Sequence, residues 1–180
     1  MSLTLILGGA RSGKSGYAQK LAQETSLPVT VIATAEARDP EMLDRIARHR
    51  AERPATWQTV EEPRQLAEVL VREAGPRKCL VVDCLTLWLN NWLDEMHSQR
   101  YPAAKERLMA TLPKLPGEII LVANEVGLGV VPLGELSRRF VDEAGWLNQA
   151  IGQMADDVVF VAAGLPLKLK ATPRHDPYSD

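Results

Sequence analysis

Five stretches of this chain are apolar with almost no alternation: residues 3–7, 29–34, 78–83, 118–124 and 157–162. Such runs describe strands buried on both faces, since a half-exposed strand would place a polar residue at every second position. Helical patterns separate them, over residues 17–22, 39–53, 65–73, 85–96, 103–112 and 134–154. Asp39-Pro40 starts the second of these as N-cap and first helical residue, and Pro54 ends it. Strands alternating with helices close into a mainly parallel sheet with helices on both faces, an α/β fold. Residues 1–170 read as a single domain and 171–180 as a loose polar tail. Ligands of such sheets gather beyond the carboxyl ends of the strands. That rule brings residues 8–15, Thr34, Asp83 and Asn124 to one edge.

The first strand-to-helix turn is Gly8-Gly9-Ala10-Arg11-Ser12-Gly13-Lys14-Ser15. Its spacing is G-x-x-x-x-G-K-[ST], and the strand before and helix after supply the context that a P-loop requires. Glycines let the backbone curl until successive N–H groups face one concavity and hold phosphate oxygens. The helix N-terminus adds partial positive charge there. Lys14 is placed to reach the outer phosphates, and the Ser15 hydroxyl to ligate Mg²⁺. Asp83 closes an apolar strand, where P-loop proteins keep the acid of the Mg²⁺ shell; capping the next helix is its ordinary alternative. The chain is expected to bind a nucleoside triphosphate.

Composition narrows the partners. The 180 residues are 46% hydrophobic with a net charge of −2, so there is no electrostatic case for nucleic acid. Cys79 and Cys84 read as small buried apolar residues, not as a disulfide. No secretory signal pattern and no run long enough to span a bilayer is visible, so a soluble, cytoplasmic, single-domain protein is expected.

The helix over 39–53 has the most unusual pattern. Met42, Leu43, Ile46 and Ala47 form an apolar stripe, Arg45, His49 and Arg53 line one flank at four-residue spacing, and Arg48 and Arg50 add charge. Four arginines around one histidine call for anions. An imidazole among guanidinium groups is suited to attack a phosphorus atom whose oxygens the arginines hold. A solvated basic face with an incidental histidine is an equal alternative on the residues alone. His97 and His175 sit in polar segments and read as surface residues. Asn124-Glu125-Val126-Gly127 lacks the lysine and aspartate of the guanine-reading N-K-x-D motif, which speaks against a regulatory GTPase. Its glycines suit a loop passing close to a ligand or a neighbouring subunit. Trp88, Trp92 and Trp146 read as core or subunit contacts.

Together these motifs resemble the bifunctional adenosylcobinamide kinase / adenosylcobinamide-phosphate guanylyltransferase family of cobalamin synthesis. The likeness rests on Gly8 through Ser15, Ile32-Ala33-Thr34, Arg45-Ile46-x-x-His49-Arg50-x-x-Arg53-Pro54, Trp57 and Glu61. It continues through Asp83-Cys84-Leu85-Thr86, Asn91, Asn124-Glu125-Val126-Gly127-x-Gly129-x-Val131-Pro132, Gly164 and Lys170. It implies a RecA-like P-loop NTPase fold, a homotrimer, and two reactions. A nucleoside triphosphate, ATP or GTP, phosphorylates adenosylcobinamide; GTP then donates GMP to adenosylcobinamide phosphate, releasing pyrophosphate. The resemblance places the guanylylated histidine at His49, with Lys14 as the second catalytic residue. It places nucleotide contacts at Gly8, Gly9, Ala10, Arg11, Ser12, Gly13, Lys14, Ser15, Ala33, Thr34, Ala35, Arg50, Ala51, Glu52, Arg53, Glu61 and Asp83, and Mg²⁺ at Ser15 and Asp83. The competing readings are a plain P-loop small-molecule kinase and a nucleotide-dependent regulator.

Overall fold

The computed structural model describes residues 2–37, 40–51, 53–93 and 100–171, except the side chains of Glu41 and Arg45. In chain order the elements are β1 (Ser2–Gly8), α1 (Lys14–Glu24), β2 (Val29–Ala33), α2 (Pro40–Ala51), β3 (Gln58–Glu61), α3 (Leu66–Glu73) and β4 (Cys79–Asp83). They continue with α4 (Leu85–Leu93), α5 (Arg100–Thr111), β5 (Glu118–Asn124), α6 (Glu135–Met154), β6 (Asp157–Ala162) and β7 (Leu165–Ala171). One sheet runs β3-β2-β4-β5-β1-β6-β7, and every pairing is parallel except β6 with β7.

The unbroken apolar runs occupy the middle of this sheet, where both faces are covered. One face carries Ile6, Val31, Val81, Ile120 and Val159 against Ala18 and Ala22 of α1. The other carries Leu3, Leu5, Ile32, Leu80, Leu121 and Val158 beneath a larger layer built from α3 to α6. Helix α4 drives Trp88, Leu89, Trp92 and Leu93 into that layer, so two of the three tryptophans read as core or contact residues are core. Trp146, on α6, is about half exposed beside Lys105, whose Nζ lies 5.9 Å from the ring centroid.

Parallel register brings the strand ends level. Gly8 pairs with Asn124, Ala33 with both Asp83 and Glu61, and Asp83 with Val122. The expected edge is therefore real, and it includes a residue from a strand the sequence did not reveal. Residues 58–61, outside the five apolar runs, form β3, a four-residue parallel edge strand. The strand over 157–162 is likewise not the last. Ala163 (φ 51°) and Gly164 (φ 77°) reverse the chain into β7, which is exposed along its whole length. Ala171 ends that strand and is not part of a loose tail; the remaining tail residues, with His97, His175, Asp39 and Glu52, lie outside the described residues. Among the described residues, no helix is long and apolar enough to cross a membrane.

Candidate functional site

The phosphate loop starts where β1 has no room for a side chain. A Cβ on Gly8 would lie 2.3 Å from the Val161 carbonyl oxygen and 2.7 Å from Ser12 Oγ. Arg11 (φ 54°) and Gly13 (φ 98°) then supply two left-handed turns before α1 begins at Lys14. A Cβ at Gly13 would be 3.1 Å from Gly164 Cα, and the Gly164 N–H donates to the Ser12 carbonyl at 2.8 Å. The β6–β7 turn thus braces the loop from outside. Lys14 is only 7% exposed, and its Nζ donates to the Gly9 carbonyl at 2.6 Å.

In front of the loop lies a cavity of about 390 Å³. Arg11, Ser12, Gly13, Lys14 and Ser15 form its floor, and the strand ends contribute Ala33, Ala35, Glu61, Asp83 and Asn124. Helix α2 adds Met42, Ile46, His49 and Arg50 to the lining, and Arg53 follows just beyond it. The expected apolar stripe on α2 is accordingly split. Met42 and Ile46 face the cavity, whereas Leu43 and Ala47 are exposed. The stripe lines a binding site instead of packing into the core.

The arginines on α2 and just beyond it also divide. Arg53 Nη2 donates to Asp83 Oδ2 at 3.2 Å, with side chains only 9% and 21% exposed, so the end of the α2 segment is tied to the end of β4. A charge-assisted pair this sheltered is stronger than a surface bridge. Arg50 Nη1 lies 3.9 Å from Glu61 Oε1, but both side chains are largely exposed and the contact contributes little. Arg48 turns back along its own helix, its Nε 3.4 Å from the Asp44 carbonyl.

The structure therefore gathers Arg11, Ser12, Gly13, Lys14, Ser15, Ala33, Ala35, His49, Arg50, Arg53, Glu61 and Asp83 around one space. Gly8, Gly9 and Ala10 shape the loop behind it. Ala51 is exposed at the end of α2. Thr34 is fully buried behind the wall: its hydroxyl donates to the Cys84 carbonyl at 2.7 Å and accepts from the Cys84 N–H at 3.0 Å. The Asn91 amide donates to the Thr34 carbonyl at 2.7 Å and to that of Pro63 at 3.0 Å. These two residues fix the wall. Cys84 also lines the cavity, but burial, then the Asp83 charge, push its thiol up to about 11. It is held as a neutral thiol, the wrong state for a nucleophile.

Among the described residues, no group of three His, Cys, Asp or Glu could hold a metal. Ser15 and Asp83 do line the same cavity, and one hydroxyl with one carboxylate fits Mg²⁺, which takes few protein ligands and completes its shell with phosphate oxygens and water. Sequence reasoning placed Asn124 at this edge without a role, and it missed Met42 and Ile46. Apolar residues at helical spacing read as core whichever cavity they line.

A family model described as cobinamide kinase / cobinamide phosphate guanyltransferase matches residues 4–169. The chain is 60% identical over 169 residues to the bifunctional adenosylcobalamin biosynthesis protein CobP of Pseudomonas aeruginosa, covering 94% of this chain and 98% of that protein. It is 35% identical over 181 residues to the bifunctional adenosylcobalamin biosynthesis protein CobU of Escherichia coli, covering 93% of this chain and 99% of that one. Among solved structures it is similar to the RadB recombinase, with a TM-score of 0.53 and 18% identity over 88% of this chain and 73% of the other. A protein from Pyrococcus horikoshii OT3 gives a TM-score of 0.57 at 8% identity, over 94% and 86% of the two chains. At these identities the structural likeness concerns the fold, which is that of the P-loop NTPases.

Proposed function

The chain belongs to the cobinamide kinase / cobinamide phosphate guanyltransferase family, and from that premise we propose how one cavity carries both reactions. The kinase phosphorylates adenosylcobinamide from a nucleoside triphosphate; the guanylyltransferase passes GMP from GTP to adenosylcobinamide phosphate, giving adenosylcobinamide-GDP and pyrophosphate. The observation that carries the reading is that His49 and the phosphate loop line one and the same cavity.

The loop from Gly8 to Ser15 holds the triphosphate through backbone N–H groups, and Lys14 neutralises its outer charge. Ser15 and Asp83 would hold Mg²⁺, which screens the phosphate charge when bound. In the guanylyl half, an imidazole nitrogen of His49 bonds to the α-phosphorus as the α–β bridging bond breaks and pyrophosphate leaves. A phosphate oxygen of the second substrate then bonds to that phosphorus, and the P–N bond breaks with its electron pair returning to the imidazole. Splitting one displacement into two is what a covalent intermediate accomplishes. Arg50 and Arg53 border the same cavity and supply positive charge for the phosphates. Residues 1–170 act in this reading as one catalytic domain in the cytoplasm.

The test is incubation with GTP radiolabelled at the α-phosphorus. Acid-labile, base-stable label is expected on the protein, and His49→Ala abolishes it while leaving phosphorylation of adenosylcobinamide at least partly intact. Label that persists in the variant removes His49 from the mechanism. A homotrimer belongs to the same reading. Leu128, Val130, Val131 and Leu133, together with Leu165 and Leu167 of β7, are strongly exposed apolar residues, which supports a subunit contact. Sedimentation at micromolar concentration tests it, and a monomer refutes it.

A further inference from the structure

The motif Asn124-Glu125-Val126-Gly127 has no part in the mechanism so far, although its first residue borders the cavity. Its backbone is firmly held. The Asn124 N–H donates to Thr86 Oγ1 at 2.6 Å, the Glu125 N–H donates to the Gly8 carbonyl at 2.9 Å, and Glu125 Oε1 accepts from the Gly127 N–H at 2.6 Å. Asn124 pairs with Gly8 where the phosphate loop begins. It lies two residues beyond Val122, the partner of Asp83, and so about 7 Å further along the strand on the same face.

Apart from Glu61, whose 3.9 Å contact with Arg50 is exposed, the other polar side chains at these strand ends are engaged within the protein. Thr34 bridges both backbone groups of Cys84, Thr86 accepts from Asn124, Asn91 ties Thr34 to Pro63, and Asp83 meets Arg53. The Asn124 carboxamide makes no hydrogen bond among the described residues. It is a donor and acceptor held beside the phosphate loop, at the strand ends of the cavity that His49 also lines. An amide carries no charge and cannot serve as a general base at neutral pH. It can donate to a phosphoryl oxygen while accepting from a hydroxyl.

We propose that Asn124 orients the acceptor hydroxyl against the γ-phosphoryl group, and so serves the kinase reaction but not the guanylyl transfer. The cavity then has two working walls, the strand ends for the γ-phosphorus and α2 for the α-phosphorus. In the step it assists, the acceptor oxygen bonds to the γ-phosphorus as the β–γ bridging bond breaks. The electron pair leaves on the nucleoside diphosphate, and the hydroxyl proton passes to solvent. The Asn124 side-chain oxygen accepts from that hydroxyl and its NH₂ donates to a γ-oxygen, which fixes the in-line approach.

This inference rests on the bifunctional reading above, and its test separates the two. Asn124→Ala and the near-isosteric Asn124→Asp are each assayed for phosphate transfer to adenosylcobinamide, GMP transfer to adenosylcobinamide phosphate, and protein label from α-labelled GTP. Loss of one hydrogen bond to a charged group lowers the kinase kcat about 10- to 100-fold. In Asn124→Ala the GMP transfer and the protein label are expected to stay within about threefold of the parent. Asn124→Asp keeps the shape and guards against a folding artefact; its carboxylate repels the γ-phosphate, so the kinase kcat falls and the nucleotide KM rises. An unchanged kinase rate in Asn124→Ala overturns the proposal. Parallel loss of both activities in Asn124→Ala overturns it too, by assigning Asn124 a structural role. A parent protein inactive in both assays defeats the bifunctional reading itself, and this inference with it.

Discussion

Replacing Gly8 or Gly9 by alanine applies the same chemical change to adjacent residues of one motif, yet the structure predicts opposite outcomes. A Cβ at Gly8 sits 2.3 Å from the Val161 carbonyl oxygen, about 0.9 Å inside ordinary carbon–oxygen contact. That oxygen belongs to β6, which is pinned between β1 and β7 and cannot retreat by a rotamer change. Forcing a strand aside costs about 1–3 kcal/mol, and a φ of 155° adds about 1 kcal/mol for a residue with a side chain. A loss of roughly 3 kcal/mol in a chain of 180 residues lowers Tm by about 6–12 °C. At Gly9 a Cβ meets nothing within 4 Å, and the same substitution should stay within about 1 kcal/mol of the parent. Thermal melts followed by far-ultraviolet circular dichroism, without nucleotide, read the difference directly. Equal Tm values for the two variants would refute the steric argument and return both glycines to a shared role in phosphate binding.

Thr34→Val removes a hydroxyl that serves two backbone groups of Cys84; we expect about 1–3 kcal/mol of lost stability in urea titrations, with the α-carbon trace unchanged by crystallography. Asp83→Ala leaves the sheltered Arg53 guanidinium without its carboxylate and should abolish the Mg²⁺ dependence of nucleotide affinity, measured by calorimetry with and without the metal. Lys14→Ala should weaken both activities by on the order of 100-fold through lost hold on the triphosphate. Burial raises the thiols of Cys79 and Cys84 from 9.0 to about 11. Above pH 9 the unfolded chain releases protons that the folded chain keeps, so this contribution is intact below pH 9 and falls as pH rises towards 11. Urea midpoints across that range should drop less steeply in the Cys79→Ala/Cys84→Ala double variant.

The parallel core was legible because burial on both faces leaves an unbroken apolar run, and β1, β2, β4, β5 and β6 all obeyed that rule. Strand β3 was hidden for the opposite reason. Gln58-Thr59-Val60-Glu61 is an edge strand with two exposed ends, and its pairing with β2 is set by backbone register, not by composition. Strand β7 was hidden by exposure: its leucines have no core to face, and Pro166 lowers any strand expectation. At the site, the Lys14 and Asp83 positions followed from motif and strand end. Helix α2 misled in part, because Met42 and Ile46 carry the periodicity of a core helix while lining a cavity. Among the arginines on and just beyond α2, spacing could not reveal that Arg48 bonds its own helix while Arg53 reaches β4. Those partners are long-range facts.

The turn at Ala163 and Gly164 joins the phosphate loop to the end of the chain. Gly164 fills the space over Gly13 and bonds Ser12, while β7 behind it is held to the rest of the protein chiefly by its pairing with β6. A C-terminal truncation that unpairs β7 therefore releases the outer brace of the nucleotide site while the central strands stay packed. Shortened versions of this enzyme would express and fold, then fail at phosphate binding, a defect easily misassigned to the other end of the sequence.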